Sequence, residues 1–157
     1  MTDTEGFLKV VFDLPEDTAS HACAGSELLW VEKTAVRAEF QVRNTPFYVK
    51  GIAWGDTIKA RLDSERREIV FDGFVAESGH STVRLVILDD EAWEAVEALL
   101  EGRGCSWEVF STGVLWAVDV PPEVDYPSLR TDLLRLHEAG KIGIQEAALA
   151  TPHRPGT

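Results

Sequence analysis

The stretch VRLVILDDEAWEAVEALLEG, Val83–Gly102, contains a strand signal followed directly by a helix signal. The apolar run that begins at Val83 is typical of a buried strand. Asp89 or Asp90 can then cap a helix, because a carboxylate accepts hydrogen bonds from the free N–H groups of the first turn. Apolar residues follow at helical spacing, namely Trp93, Val96, Leu99 and Leu100. The glycines after this run are typical of a helix end, so the stretch predicts a β-α unit.

The residues that follow complete a β-α-β-β-α-β pattern. CSWEVFS (105–111) and VLWAVDV (114–120) predict a hairpin around Thr112 and Gly113. PPEVDYPSLRTDLLRLHEAGK (121–141) predicts a second helix capped by Asp125, and IGIQEAALA (142–150) predicts a closing strand. This order predicts a ferredoxin-like, split βαβ half over residues 83–150.

The residues before Val83 have the pattern of a β-rich half. FLKVVFDL, SELLWVEK, RAEFQVRN, TIKARLD and REIVFDGFVAE are short strand signals separated by turn residues. They predict an N-terminal curved antiparallel sheet or small β-barrel over residues 1–82. The fold class is therefore predicted as α+β. The polar tail TPHRPGT, residues 151–157, is predicted to be disordered.

The net charge argues against several classes of partner. The chain has 15 Lys and Arg against 27 Asp and Glu, a formal net charge of −12. Such a balance argues against non-specific nucleic-acid binding and against attachment to an anionic membrane surface, because both need basic side chains. A basic protein or a small ligand remains open as a partner. The alternative is that the negative charge only keeps the protein soluble.

The cysteines and the first residues predict a cytoplasmic protein with reduced thiols. Cys23 and Cys105 are its two cysteines, and the N-terminal stretch is acidic where a signal peptide needs positive charge. His21 and Cys23 lie two residues apart, but a tetrahedral zinc site needs four ligands, or three and a water. The sequence therefore predicts no metal and no cofactor.

The segment SGHSTVRL, Ser78–Leu85, contains the candidate ligand-binding residues. In an extended strand His80, Thr82 and Arg84 share one face, where they can bind a small anion together with Asp56. The alternative is a structural junction between the halves, in which Arg84 pairs with a carboxylate such as Asp56. No nucleophile elbow, P-loop or zinc-protease motif is present, so no catalytic residue is predicted.

The first helix predicts a second surface. Its charged residues are all acidic, namely Asp90, Glu91, Glu94, Glu97 and Glu101. Like charges three and four residues apart destabilise a helix slightly, so this pattern does not serve helix stability. We interpret it as a docking surface for a basic partner, with a merely solvated face as the alternative.

Four short motifs resemble those of a family of bacterial domains of unknown function. They are a Glu-x-x-Trp strand, an Asn-x-Pro-Phe turn, a Gly-Asp pair and a Ser-Gly-His-Ser-Thr-x-Arg segment. Their residues are Glu27, Trp30, Asn44, Pro46, Phe47, Gly55, Asp56, Ser78, Gly79, His80, Ser81, Thr82 and Arg84. The resemblance covers roughly residues 26–150 and implies no activity.

These observations predict a non-catalytic binding or regulatory protein that engages a basic protein or a small anionic ligand. The alternative is a small enzyme with a site made of His80, Asp56 and Arg84 between the two halves. A free edge of the second sheet also provides a route to a homodimer.

Overall fold

The computed structural model describes residues 7–22 and 25–155, and the chain forms two compact units, Met1–Ser78 and Gly79–Thr157. The boundary lies four residues before the predicted one at residue 82. The first unit contains β1 (Phe7–Asp13), α1 (Glu16–Ala22), β2 (Ser26–Lys33), β3 (Glu39–Val42), β4 (Thr57–Asp63) and β5 (Glu68–Ala76). The second unit contains β6 (Ser81–Ile87), α2 (Trp93–Gly102), β7 (Ser106–Val109), β8 (Leu115–Val120), α3 (Tyr126–Glu138) and β9 (Ile142–Ala148). Short 3-10 helices lie at Asp90–Ala92 and Thr151–His153. The mixed α+β prediction is confirmed.

The five strands of the first unit form a closed barrel in the order β1-β2-β3-β4-β5. Neighbouring strands pair in antiparallel fashion, and β1 closes the barrel by a parallel contact with β5 at Val11 and Val70. Alternate residues such as Leu29 and Val31 on β2 lie in the barrel core, as the period-2 pattern of SELLWVEK predicts. The predicted curved antiparallel sheet is confirmed.

Helix α1 is an element that the strand pattern of the first 82 residues does not predict. It begins directly after Pro15, and its first turn carries Glu16 and Asp17. Acidic residues are favourable there because the N-terminus of a helix carries partial positive charge. Seven residues are two turns, which is too short for a helical period to be recognised.

The second unit is a four-stranded antiparallel sheet in the order β7-β8-β6-β9. Leu85 on β6, Leu100 on α2 and Leu129 on α3 belong to one buried core, so both helices pack on the same face of the sheet. Asp125 caps α3 as predicted, by accepting a hydrogen bond from the Ser128 amide. Asp89 accepts from the Glu91 amide and so caps the short 3-10 helix Asp90–Ala92, whereas α2 begins after Ala92 without a side-chain cap. In residues 7–22 and 25–155, no helix has the length and apolar character that a membrane crossing requires.

The prediction of a disordered tail at 151–157 is wrong for Thr151–His153. These residues form a 3-10 helix, and only 2% of the surface of His153 is exposed. The imidazole is buried because it completes a hydrogen-bond network inside the second unit, which a local reading of TPHRPGT cannot reveal.

Candidate functional site

Strand β6 presents two chemically different faces. Val83, Leu85 and Ile87 belong to the apolar core beneath the helices. Thr82 and Arg84 alternate with them and therefore lie on the other face of the sheet. In the strand register Thr82 lies opposite Asp119 of β8, and Arg84 lies opposite Gln145 of β9. The opposite face of β6 is thus polar where the core face is apolar.

His80 and Asp119 form the most chemically capable pair on that face. The Nδ1 atom of His80 lies 2.8 Å from Asp119 Oδ1, and both side chains are mostly buried. Burial raises the pKa of the Asp119 carboxyl, and the hydrogen bond with His80 acts in the opposite direction. A carboxylate that holds Nδ1 fixes the orientation of the ring, as in many acid–base sites.

Arg84 is nearly sealed from solvent, with 4% of its surface exposed. Its Nε atom donates a hydrogen bond to Gln145 Oε1 at 2.9 Å. Thr82 is fully buried. The structure therefore brings His80, Thr82 and Arg84 to one polar face, but two of the three side chains are inaccessible to a ligand from solution. The ligand-binding role stays a prediction.

Ser81 and His153 form a second histidine pair, which is structural. Ser81 Oγ lies 2.6 Å from His153 Nδ1 and accepts a hydrogen bond from the Ala150 amide. His153 Nε2 lies 2.9 Å from the Pro121 carbonyl oxygen, so Nε2 carries the proton and Nδ1 accepts from the serine. Ser81 is fully buried, so no substrate reaches this hydroxyl. The pair anchors Thr151–His153 to β6.

Asp56 lies in the first unit, where both of its carboxylate oxygens accept hydrogen bonds from backbone amides. Oδ2 accepts from the Ala53 amide and Oδ1 from the Ser78 amide, each at 2.9 Å. Burial raises the pKa of this carboxyl, and the two amide hydrogen bonds oppose the shift. Gly55 precedes it with a φ of 84°, and a Cβ there would lie 3.0 Å from the Ser78 Cβ. The Gly-Asp pair thus fixes a tight loop, since only glycine fits the conformation and the space.

Glu27 performs a similar role in the same unit. Its carboxylate accepts hydrogen bonds from the backbone amides of Phe47, Tyr48 and Val49 at 2.7, 3.0 and 2.9 Å. Carboxylate hydrogen bonds of this kind are stronger than neutral ones. Asn44 Oδ1 accepts from the Trp30 amide at 2.7 Å. The loop between β3 and β4 is therefore held by side chains of the motifs that the sequence analysis identified.

The clamped loop forms one wall of a cleft of about 320 Å³, which we name the barrel cleft. Residues from β1, α1, the loop and β5 line it, and most of them are apolar. They are Phe12, Asp13, Leu14, Pro15, Thr18, Tyr48, Val49, Lys50, Gly51, Ile52, Phe71 and Phe74. The cleft lies within the range of volumes typical of small-molecule sites.

The acidic surface predicted on the first helix is present as five carboxylates on one helical stretch. Asp90, Glu91, Glu94 and Glu101 are exposed and Glu97 is half-buried. Across the described ranges, none of the five forms an ion pair with a Lys or Arg. We call these five residues the α2 acidic surface.

Cys105 is a free thiol in the apolar core of the second unit. Burial, together with the charge of Asp119, raises its pKa to about 11. Such a thiol is a poor nucleophile at neutral pH. Among residues 7–22 and 25–155, no three His, Cys, Asp or Glu side chains are placed to hold a metal ion. Cys23, considered above as a ligand, lies outside the described residues.

Sequence reasoning missed Asp119 and His153. Asp119 carries a usable signal, because it is a lone acid in the apolar strand VLWAVDV and a buried charge needs a partner. His153 has no comparable signal in the sequence, because its partner Ser81 lies far away in the chain. The role of Glu27 was also missed, although its motif was recognised.

Comparisons with known proteins identify the family and the fold of the chain. Residues 27–144 match the family described as a domain of unknown function, DUF4265. The chain belongs to this family. The DUF4265 match begins at the carboxylate that clamps the loop and ends within β9, so it covers parts of both units.

One solved structure shows the same fold as this DUF4265 protein. It is the crystal structure of a hypothetical protein from Neisseria gonorrhoeae, with a TM-score of 0.70 and 19% sequence identity. The alignment covers 92% of this chain and 95% of that chain. No curated protein is similar enough to the chain to count as a relative.

Proposed function

We propose that this protein is a non-catalytic binding or regulatory protein that engages a basic protein partner through the α2 acidic surface. One observation carries the proposal: the five carboxylates have no cationic partner among the described residues. Unpaired like charges along this helical stretch cost a little stability, which favours a use outside the fold.

The distribution of arginines around the helix supports this proposal. The last turn of α2 contains no basic residue, although a cation is favourable there. Arg103, which follows it directly, donates to Ser128 and Asp132 of α3. The side chain of Arg103 thus contacts α3 and forms no ion pair with the acids of α2.

The test is affinity capture from native cytosol with three forms of the protein. The first is wild type, the second carries Glu91→Lys, Glu94→Lys and Glu97→Lys, and the third carries Glu65→Lys, Glu123→Lys and Glu138→Lys. The third form has the same net charge as the second but keeps the α2 acidic surface. We expect wild type and the third form to capture one basic protein that the second form loses. Equal loss from both variants would show that only net charge matters, and would refute the proposal.

Three finer assignments accompany this proposal. We infer that the second unit is ferredoxin-like, supported by its β-α-β-β-α-β order and its strand order β7-β8-β6-β9. We also propose that the protein acts in the bacterial cytoplasm, supported by the free buried thiol of Cys105. Pairing of two copies along an edge strand of the second sheet is the proposed route to a homodimer.

A second candidate is a small enzyme, and the pairing of His80 with Asp119 favours it. Asp119 takes the place of the predicted Asp56 as the carboxylate that orients the imidazole. The test is hydrolysis of p-nitrophenyl acetate and p-nitrophenyl phosphate across pH 5–9 by wild type and His80→Gln. An enzyme loses its pH-dependent rate in the variant, whereas equal rates exclude this candidate.

A further inference from the structure

We propose that the barrel cleft binds a small organic carboxylate whose apolar body has the size of two fused aromatic rings. The site lies wholly within the first unit, and it is independent of the α2 acidic surface. The inference rests on the lining of the cleft, its rigidity and the charges at its rim.

The lining fits a flat apolar body. Phe12, Tyr48, Phe71 and Phe74 contribute four aromatic rings to one cleft. Phe74 has 51% of its surface exposed, although it is a large apolar residue on a strand. Such exposure beside a concave apolar surface is typical of a ligand site.

The volume sets the size of that body. An engineered apolar cavity of roughly 150 Å³ holds one benzene molecule. The barrel cleft, at about 320 Å³, has about twice that volume. Two fused aromatic rings, or a branched aliphatic group of similar size, therefore fill it.

The walls of the cleft are fixed before a ligand arrives. Glu27 holds the amides of Tyr48 and Val49, so the loop wall is tied to β2. On the opposite wall Phe12 and Phe71 stack with ring centroids 4.6 Å apart. A preformed site binds without first ordering its own side chains, which favours affinity for a small molecule.

Charges at the rim select an anion. Two charged residues line the cleft, Asp13 and Lys50. Both carboxylate oxygens of Asp13 accept from Arg66, at 2.8 and 3.0 Å, and this pairing lowers the pKa of Asp13. Lys50 is exposed and forms no ion pair with a described residue. Its ammonium group is the charge that remains to attract a ligand, so a carboxylate is preferred.

The test compares three probes that share one ring system. They are 1-naphthylacetate, 2-(1-naphthyl)ethanol and 1-naphthylmethylammonium, titrated by calorimetry into the full-length protein. Backbone amide shifts in a ¹⁵N NMR spectrum locate each probe. We expect the carboxylate to bind about 10-fold more tightly than the ammonium probe, and to shift the amides of residues 48–52.

Paired variants separate the cleft from general surface effects. Phe74→Ala removes a half-exposed ring of the lining, and Leu62→Ala removes an exposed apolar side chain that does not line the cleft. Lys50→Gln is matched by Lys59→Gln, another exposed lysine of the first unit. We expect Phe74→Ala to weaken binding of the carboxylate about 10-fold and Lys50→Gln about 3-fold, with the two controls unchanged.

Three results would overturn the proposal. Equal affinity for all three probes would make the cleft an apolar site without preference for an anion. Shifts located away from residues 48–52 would place the binding elsewhere. Absence of binding, together with a dimer of wild type that Phe74→Ala dissociates in sedimentation, would assign the cleft to a second copy of the chain.

Discussion

Acidic side chains around the loop between β3 and β4 bind backbone amides, whereas those of the α2 acidic surface have no cationic partner among the described residues. In the first unit Glu27 and Asp56 accept hydrogen bonds from five backbone amides, those of Phe47, Tyr48, Val49, Ala53 and Ser78. In the second unit five acids lie along the short 3-10 helix Asp90–Ala92 and α2, and none of them forms an ion pair with a described Lys or Arg. A net charge of −12 therefore combines acids that build the fold with acids that the fold does not use.

The difference teaches that residue type does not decide the role of a carboxylate. A carboxylate beside unpaired amides stabilises the chain, because buried or half-buried N–H groups must find acceptors. A carboxylate on an exposed helix has water as its partner, and it is available for charge-based association. Mutations at the two kinds of position should therefore change stability by different amounts and in opposite directions.

The largest effect is expected for Glu27→Ala. The variant leaves the amides of Phe47, Tyr48 and Val49 without their acceptor, and we expect the free energy of unfolding to fall by about 3 kcal/mol. Urea unfolding followed by tryptophan fluorescence measures the change. Glu94→Ala is the matched control on α2, and its effect should stay within about 0.5 kcal/mol. Similar losses in the two variants would remove the contrast between the regions.

The next effect tests whether the second unit also depends on polar side chains. Ser81→Ala leaves the Ala150 amide and His153 Nδ1 without a partner in a buried place. We expect a loss of about 2 kcal/mol in urea unfolding. Ser64→Ala, in the exposed turn before β5, should cost almost nothing. A stable Ser81 variant would mean that Thr151–His153 contributes little to the fold.

A smaller effect concerns Cys105 and depends on pH. Burial raises its pKa from 9.0 to about 11, so the folded state binds a proton that the unfolded state releases in this range. Stability from the protonated thiol is therefore complete below pH 9 and declines as the pH rises towards 11. We expect the stability advantage of wild type over Cys105→Ala to fall by about 1 kcal/mol between these values. A constant difference would contradict burial of an un-ionised thiol.

The smallest effect has the opposite sign. Glu101→Lys places a cation in the last turn of α2, four residues after Glu97. There it is attracted both to Glu97 and to the partial negative charge at the end of the helix. We expect the free energy of unfolding to rise by about 0.5 kcal/mol in low salt. The gain should disappear in 1 M NaCl, because salt screens exposed charges. Destabilisation would show that Glu101 has a role inside the fold.

Much of the fold follows from local sequence patterns. SELLWVEK and TIKARLD predict β2 and β4 with the bounds observed in the structure, because apolar residues that become buried alternate with exposed ones in each strand. The two α-helices of the second unit follow from apolar spacing, from Asp89 as the cap of the 3-10 helix that leads into α2, and from Asp125 as the cap of α3. These features depend on residues that lie close together in the chain.

The candidate sites depend on contacts that local patterns do not contain. His80 forms a hydrogen bond with Asp119, and Ser81 forms one with His153, although the partners lie far apart in the chain. The barrel cleft is assembled from three separate stretches of chain, residues 12–18, 48–52 and 71–74, and no local pattern shows that they meet. Sequence reasoning selected His80 as chemically capable, but its partner is decided by the register of β6 against β8.

The parallel contact that closes the barrel has a consequence for local opening of the native state. β1 and β2 pair along their whole length, from Phe7 with Glu32 to Asp13 with Ser26, whereas β1 meets β5 at Val11 and Val70. The closing contact therefore has fewer paired residues than the β1–β2 ladder, and its amides are expected to exchange with deuterium faster than those of that ladder. The stacked pair Phe12 and Phe71 is adjacent in sequence to Val11 and Val70 and lines the barrel cleft. A molecule bound against both rings would contact β1 and β5 together, and it would therefore slow hydrogen–deuterium exchange where the barrel closes.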